Sequence, residues 1–177
     1  GRKIILAISR WFRISWFGNK IKNCQDFIGV DYYRISKIKF DLKNSVFLGF
    51  GLDDDPENVM GWPAYPEGLY KVLEEVKKYN GNVPIYIMEN GRPTREGLED
   101  QERVDFIQNH IDYVKKSISA GVDVRGYFHW SLMDNFEWTW GYRPKFGLIE
   151  INFETLEKKP RKSFYAYKEI ISSNLQD

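Results

Sequence analysis

The sequence predicts an α/β fold in which parallel strands alternate with covering helices. Three observations carry that reading. Short β-branched and aromatic runs recur near 27–33, 83–88 and 124–132. Stretches with apolar residues at helical spacing separate them, and those stretches are long enough for right-handed crossovers that return each strand parallel to the last. A parallel sheet of this kind is expected to be covered on both faces.

Taken in order, Phe27-Ile28-Gly29-Val30-Asp31-Tyr32-Tyr33 reads as a buried strand. Residues 39–63, rich in Asp, Asn and Gly, read as a long excursion with room for a hairpin. Pro66-Glu67-Gly68-Leu69 opens a helix: proline suits its first turn, glutamate favours the positive end, and Leu69, Val72, Leu73 and Val76 form its apolar stripe. The helix stops at Asn80-Gly81-Asn82, and a strand follows from Val83 to Met88. A second helix from about Glu99 to Ala120 carries Val104, Ile107, Ile111, Val114 and Ile118 on one stripe and ends at Gly121. Val124 to Leu132 is the next strand, Phe146 to Ile151 a shorter one, and Arg161 to Ser172 a closing helix with Phe164, Tyr167, Ile170 and Ile171 on its apolar side.

Composition narrows the partners. With 42% hydrophobic and 29% charged residues the chain is globular, not disordered or membrane-like. A formal charge of +1 argues against nucleic acid, which demands a basic excess. The lone Cys24 cannot form an internal disulfide, and His110 and His129 lie too far apart in sequence for a recognisable metal spacing. We expect a reducing, cytoplasmic setting, with no metal and no cofactor. No glycine-rich phosphate loop follows a predicted strand, which leaves a nucleotide-binding domain weakly supported.

Residues 1–25 hold Arg2, Lys3, Arg10, Arg13, Lys20 and Lys22 before the first acid, Asp26. Arg10 and Arg13 interrupt the apolar run and no small-residue cleavage site follows, so we read a basic, aromatic lead-in that packs on something, in preference to an exported leader. Residues 26–177 form the second unit.

Glu89 ends the predicted strand before Asn90-Gly91, and in parallel α/β folds the carboxyl ends of strands face a common cleft. A strand-end glutamate also points into solvent or caps a helix in many folds. The next strand leads into Trp130, Glu137 and Trp138, which would bring two indoles and a carboxylate to the same face. Indoles stack on the C–H faces of sugars, and equally fill their own loops.

These segments, together with Phe27 to Tyr33, Gly61-Trp62-Pro63, Tyr65-Pro66-Glu67-Gly68-Leu69-Tyr70, Ile87-Met88-Glu89-Asn90-Gly91 and Asp123-Val124-Arg125-Gly126-Tyr127-Phe128, resemble the carboxyl-terminal part of glycoside hydrolase family 1, the β-glucosidase and β-galactosidase family. The resemblance runs from about Phe27 to Ile171. It implies a partial (β/α)₈ TIM barrel, about the last three β/α units, and retaining hydrolysis of unphosphorylated β-glycosides. By that resemblance Glu89 is the nucleophile and Tyr33 the tyrosine that orients it. Trp130 is the platform under the nonreducing sugar, Glu137 and Trp138 bind its outer hydroxyls, and Phe146 lines the cleft.

Three positions depart from the family pattern. Met88 stands where threonine is usual. Asp31, among the substrate-side positions, replaces an asparagine and brings a second negative charge towards Glu89. The general acid, in an Asn-Glu-Pro motif of the family's first half, has no counterpart; Pro56-Glu57-Asn58 has the letters without the order or the strand. At 177 residues the chain is also well short of the roughly 250 of a complete barrel. Its open edges and apolar inner layer imply a fragment, a complementary barrel half, a homo-oligomer or a rearranged fold, and a noncatalytic sugar-binding remnant is the alternative to an enzyme.

Overall fold

The computed structural model describes residues 16–22, 24–35, 37–40, 48–51, 58–81, 83–95 and 97–174. Its centre is a three-stranded parallel sheet of β1 (Ile28–Asp31), β4 (Ile85–Asn90) and β5 (Val124–His129), in that order. Between β1 and β4 the chain forms an antiparallel pair, β2 (Lys37–Phe40) with β3 (Leu48–Gly51), which is the hairpin of the long excursion. Helix α2 (Pro66–Asn80) completes that crossover, α3 (Gln101–Ser119) joins β4 to β5, and α4 (Lys162–Asn174) closes the chain. A short helix α1 (Phe17–Ile21), the described end of the basic lead-in, lies against α2. The rest of the lead-in, with Trp11 and Phe12, lies outside the described residues, as do Pro56 and Glu57.

Local sequence explains the helix ends. Pro66 occupies the first turn of α2, where its missing N–H removes no hydrogen bond. Gly81 ends the helix at φ 71°, in the region glycine alone enters without strain, and its N–H donates to the Lys77 carbonyl. The core lies between sheet and helices. Val30, Ile85 and Ile87 pack on Leu69, Leu73 and Val76 of α2 and Val114 of α3. Leu69 and Leu73 are fully buried, each worth roughly 1.5–3 kcal/mol against exposure. A second cluster joins Phe106, Ile107 and Ile111 of α3 to Leu148, with Phe164, Tyr167 and Ile170 of α4 against it.

Several expectations change. Among the described residues, helices cover one sheet face, not both: Phe27, Met88 and Phe128, on the other, are about half exposed. This is the geometry of a barrel wall, whose uncovered side is the barrel interior. Strand β4 continues to Asn90, so Glu89 is its penultimate residue. The continuation follows from Asn90, fully buried, whose side chain donates to the Tyr32 carbonyl (2.5 Å) and accepts from the Tyr127 hydroxyl (2.6 Å). Strand β5 ends at His129, because Trp130 N still pairs with the Asn90 carbonyl but Ser131 N turns to Phe146. The run at 146–151 yields only β6 (Ile149–Ile151), antiparallel to β7 (Lys158–Pro160). On α3 the buried stripe includes Arg103, His110 and Ser117, and Ile118 is exposed; Ile171 of α4 is exposed as well.

Arg103 is buried for a reason that lies far away in sequence. Its guanidinium pairs with Asp100 (2.7 Å) and donates to the carbonyls of Gly147 (2.5 Å) and Lys145 and to Thr94 Oγ1 (2.6 Å). Arg161, equally buried, forms a two-pronged pair with Asp134 (3.0 and 2.8 Å) and also donates to the Gly147 carbonyl (2.6 Å). Asp134 in turn accepts from Gly147 N, and Asp100 from Ser163. Two cations and two anions therefore clamp the loops after β4 and β5 to α3 and the start of α4. No helix among the described residues is long and apolar enough to cross a membrane.

Removing one partner of such a pair strands a buried charge, so Arg161→Ala should lower stability by about 3–5 kcal/mol in chemical denaturation; a loss below about 1 kcal/mol would contradict the clamp. Burial pulls the His110 imidazole down to about 4, from an ordinary 6.5. Between those values the unfolded chain binds the proton that the folded chain refuses. Stability contributed by neutral His110 is thus complete above about pH 6.5 and lost as pH falls towards 4, by up to ~1.4 kcal/mol per pH unit. Burial also pulls the His129 imidazole down, to about 3, so denaturant midpoints compared at neutral and mildly acid pH should show the slope of both groups, and His110→Phe should remove only its own part of it.

Candidate functional site

Strict alternation along β4 would send Glu89 into the core with Ile85 and Ile87. The pairing prevents it: Val30 lies opposite Ile87 but Asp31 opposite Glu89, so Met88 is an extra residue, a bulge. A bulge re-aims the side chains beyond it. Met88 and Glu89 consequently both avoid the core, and Asn90 takes the buried position.

Tyr33, just past β1, donates its hydroxyl to Glu89 Oε2 at 2.7 Å. Backbone bonding fixes the approach, because Tyr32 N donates to the Glu89 carbonyl at 2.9 Å. Burial and then the bond to Glu89 push the Tyr33 phenol far above its ordinary range, with Asp31 and Glu137 adding to the effect. Behind Tyr33 stands a ring cluster: Trp62 at 5.6 Å edge-on, Phe146 at 6.2 Å edge-on, and the Arg34 guanidinium over Trp62 at 5.0 Å. Such packing holds the phenol in one rotamer.

Across the sheet, Trp130 Nε1 donates to Glu137 Oε1 at 3.3 Å, which ties the aromatic platform to the carboxylate of the next loop. Partial burial raises Glu137 above the usual carboxylate range, as does the charge of Glu89, while the Trp130 bond opposes the shift. Asp31 is raised by burial and then by Glu89. Three carboxylates thus share one field around Tyr33.

Of the sequence-predicted residues, the structure brings together Glu89, Tyr33, Asp31, Trp130 and Glu137. Phe146 is only 1% exposed: it backs the site from behind Tyr33 and offers no surface to the cleft, since the Trp62 and Tyr33 rings cover it. Trp138, next to Glu137 at the start of a 3₁₀ turn (Trp138–Trp140), is 83% exposed. Trp62 was not assigned a role from sequence, although its motif carried the family resemblance. Gly91 was overlooked too. A Cβ there would lie 1.9 Å from the Trp130 carbonyl oxygen, so the close approach of the Glu89 and Trp130 segments requires glycine. A polar groove of about 460 Å³ along β6 and β7 contains none of these residues. Among the described residues, no group of three or more His, Cys, Asp or Glu is placed to hold a metal.

A carboxylate held by a phenol, beside a ring platform and a second carboxylate, suits attack at a sugar carbon; the set lacks an evident proton donor. A family model, Glycosyl hydrolase family 1, matches residues 18–176. A 1,4-β-D-glucan glucohydrolase of Thermotoga neapolitana is 37% identical over 161 residues, which are 88% of this chain and 36% of that protein. A 6-phospho-β-galactosidase of Staphylococcus haemolyticus is 35% identical over 86% of this chain and 38% of that one. Among solved structures, the family 1 β-glucosidase of Thermotoga maritima superposes with a TM-score of 0.79 at 37% identity, covering 84% of this chain and 35% of the enzyme. The chain therefore spans a little over a third of the length of these relatives.

Gly91→Ala should separate β4 from Trp130 and lower stability by about 1–3 kcal/mol, the usual cost of overpacking, measured by thermal or urea unfolding. Unchanged stability would mean that the two segments are not held together.

Proposed function

Because this chain belongs to glycosyl hydrolase family 1, where it is a partial (β/α)₈ barrel, we propose that it supplies the nucleophile-bearing part of a retaining β-glycosidase. The observation that carries the reading is the 2.7 Å bond from Tyr33 to Glu89, at the carboxyl end of a parallel barrel strand. Glu89 attacks the anomeric carbon and forms a glycosyl ester, and water then releases the sugar with retained configuration. Tyr33 keeps the carboxylate turned towards that carbon. Trp130 stacks beneath the sugar, and Glu137, fixed by Trp130, accepts hydrogen bonds from its outer hydroxyls, with Trp138 beside it.

A carboxylate at position 137 would repel a phosphate dianion on the sugar. The substrates are accordingly unphosphorylated β-glucosides or β-galactosides, unlike those named for the staphylococcal relative. The proton for the leaving oxygen comes from a carboxylic acid that no recognisable motif of this chain provides. A complementary barrel half, or a second copy, completes the wall at the open edges of β1 and β5. In this reading residues 26–177 are the barrel part, and the basic aromatic lead-in at 1–25 covers apolar surface. The exposed, unpaired Cys24 suits a reducing, cytoplasmic compartment.

A second reading is a noncatalytic barrel part that binds sugars without cleaving them, on the aromatic platform that Trp130 and Glu137 form. Trapping separates the two. A 2-deoxy-2-fluoro β-glucoside with an activated leaving group needs little acid assistance and leaves its ester on a competent nucleophile. The proposal expects one fluorosugar added to the intact mass, mapped to Glu89 and absent from Glu89→Gln. Sugar binding with no adduct, from a folded chain, would establish the remnant instead.

A further inference from the structure

The bulge that turns Glu89 out of the core also sets it beside Asp31. β1 and β4 are neighbouring parallel strands, with backbones about 4.8 Å apart, and Asp31 is the direct partner of Glu89 in their register. Val30 faces the core and Asp31 does not, so the two carboxyls leave the sheet on the same uncovered side.

Their hydrogen bonding is unequal. Glu89 accepts the Tyr33 hydroxyl, and among the described residues no donor reaches Asp31. A donor stabilises the charged form of the group it serves, while a neighbouring like charge disfavours ionising both. When the pair takes up one proton, it goes to the carboxyl without the donor.

We propose that Asp31 and Glu89 work as one carboxyl pair, in which Asp31 is a positioning residue that takes the first proton and leaves Glu89 the charged partner. The proposal rests on the reading of Glu89 as the nucleophile. Among the described residues, the Tyr33 phenol from the segment after β1 and Glu137 from the loop after β5 share the field of the pair, while the Arg34 guanidinium lies over Trp62. Burial and then the Glu89 charge raise Asp31 above its ordinary carboxylate range, in keeping with this order of protonation. Where the family resemblance places a neutral asparagine, this chain carries a charge that comes and goes with pH. At acid pH neutral Asp31 spares Glu89 a like charge; at higher pH both are ionised and favour the positive charge that builds on the sugar carbon.

The test has two measurements on the full chain and on Asp31→Asn. In the first, the rate of fluoroglucosyl ester formation on Glu89 is followed against pH. If Asp31 takes the first proton, the profile should carry a step from Asp31 at the higher-pH end of its acid side, and Asp31→Asn should remove that step and leave the rest of the profile in place. A profile that Asp31→Asn leaves unchanged would overturn the pair. The second follows the carboxyl ¹³C resonances, assigned by Asp31→Asn and Glu89→Gln. Glu89→Gln should move the Asp31 titration to lower pH, because the like charge that raised it is gone; an unmoved Asp31 titration would overturn the proposal. No ester in either protein would defeat the nucleophile reading alone, and the carbon titrations would still decide whether the two carboxyls are coupled.

Discussion

The carbonyl oxygen of Gly147 receives hydrogen bonds from two buried guanidinium groups, and the placement of the site depends on that convergence. Arg103 reaches it from α3 and Arg161 from the residue before α4. Their countercharges Asp100 and Asp134 bond onward to Ser163 and to the Gly147 amide. Each carboxylate meets its cation in full burial, where an unpaired charge would be costly, so the four side chains stand or fall together. Phe146 precedes Gly147 and backs Tyr33; Thr94, four residues past Asn90, is bridged to Lys145. The segments that follow Glu89 and those that surround Glu137 are thus held to one clamp.

Against this rigid outer side stands an inner side with unmet needs. Tyr33 donates to Glu89, and Trp130 to Glu137, while burial and the charge of Glu89 raise Asp31 and Glu137 above the usual carboxylate range. Uncovered Phe27, Met88 and Phe128 line the same face. In a complete barrel such residues are layered against those of the remaining strands. The contacts of Glu89 and Glu137 are made within this chain, which spans a little over a third of the length of its relatives.

Much of this was legible in the sequence, for physical reasons that can be named. Strand runs such as Ile85-Tyr86-Ile87 and the stripe Leu69, Leu73, Val76 are local patterns, and local patterns decide where strands and helices form. Glu89 and Tyr33 were legible because each belongs to a short motif tied to one strand end. What failed was whatever depends on distant partners. Arg103 and His110 belong to the buried stripe of α3, yet no periodicity marks an arginine as buried when two of its acceptors lie more than forty residues away. The bulge at Met88 arises from pairing with β1 and leaves no trace in the composition of β4. The burial of Phe146 against Trp62, far earlier in the chain, is likewise recorded by no local pattern. The one-sided cover of the sheet was missed for a similar reason, since the alternation of strands and helices is the same in an open sheet and in a barrel.

If residues 27–171 hold a competent nucleophile side of a family 1 site, as proposed, they should work when a whole barrel is built around them in a chimera. This segment would replace its matching third in the Thermotoga maritima β-glucosidase, which supplies the missing wall and acid. The account predicts a folded chimera that hydrolyses an aryl β-glucoside and loses that activity on Glu89→Gln. A chimera that folds and binds the sugar, yet turns it over no faster than its own Glu89→Gln variant, would contradict it.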